Sequence, residues 1–229
     1  MARRVDAAGM EEAFRDLREG RLEGANVTMP HKWIARQLAD EVGSDAARAS
    51  SVNTLLWQGS AVVGESTDVE GIRQAWGALP EGPVLLLGAG GAAAAALLAL
   101  EGRPLTVTAR RPGAAHSLLK RTGVEATVSE WGEPLPGAVI VNATPIGMGG
   151  DRLPEGLLES ASGLFEMPYG STPTPAVETA RELAIPVVEG VEMLLAQAAL
   201  SFEMWAGVPA SIPAMRRAVE SDHSAGSNL

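Results

Sequence analysis

Only Lys32 and Lys120 are lysines among the 18 Lys plus Arg residues of this 229-residue chain, so nearly every fixed positive charge is an arginine. Arginine does not release its proton near neutral pH, whereas a desolvated lysine can. Lys32, within NVTMPHK, is therefore a candidate for acid/base chemistry, set against the plainer reading of a surface lysine. Asp68, in GESTDVEGI, stands where a strand gives way to a helix, and its default role would be to cap that helix. A third feature is the run VLLLGAGGAAAAALLAL. Its Gly88, Gly90 and Ala93 form the G-x-G-x-x-A version of the dinucleotide fingerprint at a strand-to-helix junction. The first glycine permits the tight turn, the second lets pyrophosphate approach the backbone, and the small alanine lets helix pack on strand.

Roughly 20 residues beyond such a fingerprint, enzymes that use NAD carry an acidic residue for the ribose hydroxyl. Here the strand LTVT ends in Ala109, Arg110 and Arg111. Two guanidiniums suit a 2′-phosphate, which favours NADP; a solvated turn is the bland alternative. Other chemistries fit less well. The chain has no Cys, and His31, His116 and His223 are widely spaced, so neither a thiol nor a metal centre is expected. Tyr169, the single tyrosine, has Pro173 four residues on, where the short-chain reductases need a lysine.

These residues need a scaffold, and 46% hydrophobic content over this length can bury a sizeable core. The formal charge of -10 disfavours nucleic acid and anionic membrane, leaving a small molecule as the expected partner. The opening MARRVD is not followed by the apolar stretch of a secretory signal, so a cytoplasmic location is expected. Periodicity predicts a helix over Met10 to Leu22, a short strand over Ala25 to Thr28 and a helix from His31 to Val42. A hairpin over Val52 to Trp57 and Ala61 to Glu65 turns at Gln58, Gly59 and Ser60. From Pro83 the strands VLLL, LTVT and VIVNA alternate with helical stretches, the pattern of a doubly wound parallel sheet. Strands at Leu164 to Met167 and Val187 to Val188 would complete it, followed by helices over Val191 to Trp205 and Ser211 to Val219. The polar end SDHSAGSNL is expected to fray.

Six segments in order, GANVTMPHK, SSVNTL, STDVEG, GAGGA, NATPIGM and GVEMLLAQAALSFEMWAG, resemble the shikimate dehydrogenase family. The resemblance runs over nearly the whole chain. It implies an α/β protein with a Rossmann-like NADP-binding domain over residues 74–188. A smaller α/β substrate-binding domain would be built from 1–73 and 189–229. By the same resemblance Lys32 matches the catalytic lysine and Asp68 the catalytic aspartate, while Thr28, Asn53 and Gln197 match positions that hydrogen-bond the substrate hydroxyls. Tyr169 matches a tyrosine of the substrate pocket. Gly88, Ala89, Gly90, Gly91 and Ala92 match the phosphate loop and Arg110 the 2′-phosphate arginine. Thr144, Met167 and Gly190 match positions near the ribose and nicotinamide. The implied reaction is reversible hydride transfer between NADPH and 3-dehydroshikimate, giving shikimate.

The sequence also departs from the family's pattern. Members normally open with a strand and helix carrying a Ser-x-Ser-Pro segment that holds the substrate carboxylate, and the first serine here is Ser44. Losing two such hydrogen bonds, each worth roughly 1.5 to 3 kcal/mol, would weaken substrate binding by orders of magnitude. The first sheet would be left with an open edge for a second copy or a partner chain to cover. A quinate or other hydroxy-acid dehydrogenase, or an impaired relative that binds NADP(H) without shikimate turnover, therefore stands beside the main reading. Ala109 and Arg111 flank Arg110 where Asn and Thr are usual, and Ser66 replaces a common Asn.

Overall fold

The computed structural model describes residues 5–77 and 79–226. Helix α1 (Ala7–Arg18) begins where the Asp6 carboxylate accepts a hydrogen bond from Gly9 N–H at 2.9 Å. Its Met10, Phe14 and Leu17 share one face and are buried with Val27, Val52, Leu55 and Val62 beneath the first sheet. That sheet is made by β1 (Gly24–Asn26), β2 (Glu41–Val42), β3 (Thr54–Gln58) and β4 (Ala61–Glu65), in the order β1-β3-β4-β2. β3 is antiparallel to β1 and β4, and β2 is parallel to β4. Among the described residues β1 pairs with β3 alone, so its outer side is an open edge.

One helix expected from the sequence is shorter than its pattern. α2 (Lys32–Leu38) stops before Asp40, and Glu41 and Val42 form β2 rather than continuing it; α3 (Ser44–Ala49) follows. The cause is tertiary. Asp40 exchanges hydrogen bonds with Val62, its carboxylate accepting from Val62 N–H at 2.8 Å and its own N–H donating to Val62 O at 2.9 Å. The chain is thereby drawn alongside β4, and sheet pairing overrides helical periodicity.

Helix α4 (Thr67–Ala75) leaves β4 and leads into the second unit. This comprises β5 (Val84–Leu87), α5 (Gly91–Ala99), β6 (Leu105–Thr108), α6 (Pro112–Thr122), β7 (Thr127–Ser129), β8 (Val139–Asn142), β9 (Gly163–Glu166), α7 (Pro175–Glu182) and β10 (Val187–Val188). Its six strands are all parallel in the order β10-β9-β8-β5-β6-β7, with the order reversing between β5 and β8. Every residue of β5, β8 and β9 is buried, as unbroken apolar runs in a sheet covered on both faces should be. The three-residue β7 was not anticipated, being too short to carry a pattern. α5 is apolar all round because it is enclosed, packing against α3, α4 and α6.

Of the last two helices, α8 (Gly190–Ala206) and α9 (Ile212–Gly226), α8 returns the chain to the first unit and α9 packs on α8. α8 runs along α4, and a methyl group on Gly71 of α4 would stand 3.1 Å from the backbone nitrogen of Gln197. That glycine allows the two helices to touch backbone to backbone. α9 continues into the segment expected to fray, as far as Gly226; residues 227–229 lie outside the described part. The whole is a two-domain α/β fold: a Rossmann-like doubly wound unit and a smaller mixed α/β unit. Among the described residues no helix is long and apolar enough to cross a membrane.

Candidate active site

Lys32 opens α2, and its backbone carbonyl accepts from Val52 N–H at 3.1 Å, which docks the start of that helix beside Asn53. Asp68 sits in the first turn of α4, yet the helix N-terminus is not its hydrogen-bond partner. Its Oδ2 accepts from Lys32 Nζ at 2.6 Å and its Oδ1 from Asn53 Nδ2 at 2.9 Å. The capping role that would be the default for an isolated Asp gives way to an ion pair. The Asp68 side chain is 5% exposed and that of Lys32 22%, so the carboxylate is sealed in while the ammonium reaches solvent. The lysine has three protons and Asp68 takes one, leaving others to face a ligand.

Asn53 is the hub. Its Nδ2 reaches Asp68, Thr67 Oγ1 at 2.9 Å and Gln197 Oε1 at 3.2 Å, while its Oδ1 accepts from Thr67 N–H at 2.8 Å. Behind it Thr54 and Ser201 share a hydrogen bond of 2.8 Å, and Asn26 Nδ2 donates to Ser201 Oγ at 2.9 Å. β1, β3, α4 and α8 are thus tied by one polar network, and satisfied networks of this kind fix a unique geometry. The sequence singled out Asn53 and Gln197 but missed Asn26, Thr54, Thr67 and Ser201. Ser201 was findable, being one helical turn after Gln197 on the same face of a largely apolar helix. Thr28, also expected here, lies exposed in the turn that leads into α2, and is not one of the network's members.

The other expected residues line the carboxyl ends of the parallel strands, where open α/β sheets bind ligands. Gly88, Ala89 and Gly90 join β5 to Gly91 and Ala92 of α5. Gly88 has φ +117°, and a methyl group on it would come within 2.9 Å of Ala143 O, so only glycine fits. At Gly90 the same construction meets nothing within 4 Å, leaving open space before the α5 N-terminus where a pyrophosphate could lie. Arg110 and Arg111 follow β6, both exposed and, among the described residues, without acidic partners. The loop and the two free guanidiniums fit a phosphorylated dinucleotide.

Thr144 follows β8, where its N–H and Oγ1 donate to Asn142 Oδ1 at 3.1 and 2.6 Å. Met167 follows β9 and is buried. A methyl on Gly190 would stand 2.5 Å from Met167 O, so the start of α8 rests directly on that loop. Tyr169 is 49% exposed on the same loop, where it lines a hollow with Thr174, Glu189 and Arg216. The two halves meet at Ser51, whose hydroxyl lies 3.0 Å from where a Gly91 methyl would be; the phosphate loop therefore sits two residues from Asn53. One acidic group that the sequence did not single out is Glu166, fully buried at the end of β9. Its signal was an acid ending the apolar strand GLFE.

Comparison with known proteins bears on both halves. Residues 1–55 match the family model described as the shikimate dehydrogenase substrate binding domain, and residues 190–220 the one for the shikimate 5′-dehydrogenase C-terminal domain. The NADP(+) shikimate dehydrogenase of Colwellia psychrerythraea is 36% identical over 217 residues, covering 89% of this chain and 79% of that protein. The Thermus thermophilus shikimate 5-dehydrogenase structure, in complex with NADP(H) and shikimate, superposes with a TM-score of 0.77 at 32% identity, over 91% of this chain and 83% of that one. The 5-ketofructose reductase of a Gluconobacter strain superposes with a TM-score of 0.84 at 25% identity, over 95% of this chain and 85% of that one.

Proposed function

The chain belongs to the shikimate dehydrogenase family, and from that premise we propose that Lys32 and Asp68 carry its proton transfer. The protein is an NADP-dependent oxidoreductase of the shikimate dehydrogenase type, interconverting 3-dehydroshikimate and shikimate. The observation that carries the assignment of roles is the 2.6 Å Lys32–Asp68 pair, held from behind by Asn53. Bound NADP(H) supplies the hydride acceptor or donor. In the direction of reduction Lys32 Nζ gives a proton to the oxygen that becomes the new hydroxyl, and in oxidation it takes one back. Asp68 keeps the ammonium aimed and balances its charge; Asn53, with both its hydrogen-bonding groups engaged, keeps Asp68 from turning away. Gln197 and Thr28 are assigned to the other substrate hydroxyls and Tyr169 to the pocket wall.

On the cofactor side Gly88 to Ala92 hold the pyrophosphate, and Arg110 the 2′-phosphate. Thr144, Met167 and Gly190 adjoin the ribose and nicotinamide. We assign residues 74–188 to the NADP-binding domain, and 1–73 with 189–229 to the substrate-binding domain. The support is that the two sheets divide at α4 and that α8 returns to the first, with α9 packed on α8. A cytoplasmic setting is part of the same reading. The open outer edge of β1 supports a second copy of this chain as its cover, and sedimentation should then show a dimer; a monomer would remove that part.

The central test follows NADPH absorbance with shikimate or quinate as substrate, comparing the wild-type chain with Lys32→Ala. Turnover on shikimate that falls by roughly 10² to 10⁴ in the variant, with NADPH binding unchanged, is the expected result. Turnover on quinate alone would move the substrate assignment to that hydroxy acid. NADPH binding without turnover on either would replace the enzyme by a binding protein.

A further inference from the structure

Glu166 is the last residue of β9 and is fully buried, beneath the loops that follow β8 and β9. A buried carboxylate needs compensation, and here neutral donors supply it. Asn142 Nδ2 donates to its Oε2 at 2.9 Å and Thr174 Oγ1 to its Oε1 at 2.8 Å. These donors stand at the roots of two different loops. Asn142 ends β8, and its amide is the post around which the next loop winds: Nδ2 also donates to Ile146 O at 3.1 Å, and Oδ1 receives both polar groups of Thr144. Thr174 closes the loop that leaves β9 and caps α7, accepting from Val177 N–H at 3.3 Å. Met167 N–H donates to Asn142 O at 3.1 Å, which ties the loops a second time. Burial pushes the Glu166 carboxyl up to about 7, as expected for an acid with no cation beside it among the described residues.

We propose that Glu166 is a positioning residue for the dinucleotide: its carboxylate clamps the β8 and β9 loops together, so that Thr144 and Met167 present a fixed surface to the nicotinamide end of the cofactor. The inference rests on the reading that these loops hold that end. Glu166 shares no hydrogen bond with Lys32, Asp68, Asn53 or Gln197, whose network is built on other elements. Its direct partners therefore lie on the NADP side, and of the residues assigned to the substrate only the exposed Tyr169 rides on the clamped β9 loop. Gln at this position keeps the shape but turns one acceptor into a donor, which sets an N–H against the Asn142 amide or forces the Thr174 hydroxyl to reverse.

The experiment measures NADPH binding by fluorescence, KM for NADP and for shikimate, and thermal midpoints, for the wild type, Glu166→Gln, Thr174→Val and Thr174→Ser. At pH 8, above the Glu166 value of about 7, where the carboxylate accepts from both donors, Glu166→Gln is expected to weaken NADPH binding and raise the NADP KM about tenfold, leaving the shikimate KM within about twofold. Thr174→Val should do the same and Thr174→Ser, which keeps the hydroxyl, should restore wild-type affinity. A double variant should be no worse than the poorer single one, since both act through one clamp. Unchanged NADPH affinity in Glu166→Gln, or equal shifts in both KM values, would overturn the proposal. Should Glu166→Gln fail to fold, the Thr174 pair decides it on the same criteria. These failures leave wild-type turnover on shikimate intact. Absence of NADPH binding and turnover in the wild type would instead remove the functional reading and this inference together.

Discussion

Two carboxylates, Asp68 and Glu166, are each almost completely buried, and each is held by an asparagine at a strand end. Asn53 comes just before β3 and Asn142 ends β8. The remaining partner differs: Asp68 faces the Lys32 ammonium at 2.6 Å, whereas Glu166 faces the Thr174 hydroxyl at 2.8 Å. A cation opposite the carboxylate pairs with it directly, and this is the pair proposed above to hand a proton to a ligand. Neutral donors opposite it leave the acid poorly compensated, and its value is then geometric. On the roles proposed above, the contrast separates a group that takes part in chemistry from one that shapes its surroundings, although by position alone Asp68 reads in the sequence as a helix cap and Glu166 merely ends the run GLFE.

Removing the charge from Asp68 should break this contrast most severely. Asp68→Asn is expected to lower kcat by about 10² to 10⁴ while NADPH still binds, as measured by steady-state turnover with shikimate beside fluorescence titration. An unimpaired variant would demote the Lys32 pair to a structural bridge. The next effect is on stability against pH. The folded carboxyl of Glu166 is raised to about 7 from an unfolded value of 4.5, so its contribution to stability is fully present below the unfolded value and is lost as pH rises through about 7. The change is on the order of 3 kcal/mol. Denaturant titrations from pH 4.5 to 8 should show a decline that Glu166→Gln lacks; parallel curves would mean that the acid is charged in the fold throughout. The smallest effect should be at the outer rim of the cofactor site. Arg110→Ala is expected to raise the NADP KM roughly tenfold, consistent with the loss of one charge-assisted hydrogen bond, and to narrow the preference for NADP over NAD. A similar loss with Arg111→Ala alone would shift the 2′-phosphate assignment to the neighbouring guanidinium.

The parts legible in the sequence were those with an uninterrupted local cause. VLLL followed by GAGGA announces a buried strand, a turn that needs Gly88 and a closely packed helix, and each of these is in place. The hairpin over β3 and β4 was readable from alternation and Gly59. β2, α3 and β7 were hidden because two to six residues cannot display a period, and because Asp40 answers to Val62 across the sheet and not to its own neighbours. In the site, Lys32 stood out by the rarity of lysine, while Asp68 read by position as a helix cap and joined Lys32 only through the family resemblance. Their direct ion pair could not be read from the residues themselves, because the two are 36 residues apart and nothing local sets their distance. Glu166 stayed invisible for the same reason: its donors are 24 residues before it and 8 after it, and each is ordinary on its own.

Helix α8 begins at Gly190, pressed on the loop that carries Met167, and seven residues later offers Gln197 to Asn53. At 1.5 Å of rise per residue that interval is a rod of about 10 Å whose ends are fixed in the two halves of the cleft. On the proposed assignments the helix is a gauge block: it sets the spacing between the loop assigned to the nicotinamide end of the cofactor and the residue assigned to the substrate hydroxyls. A substrate longer or shorter than that gauge could not be served by exchanging side chains alone, and a change of reach would require adding or removing helical residues in whole turns.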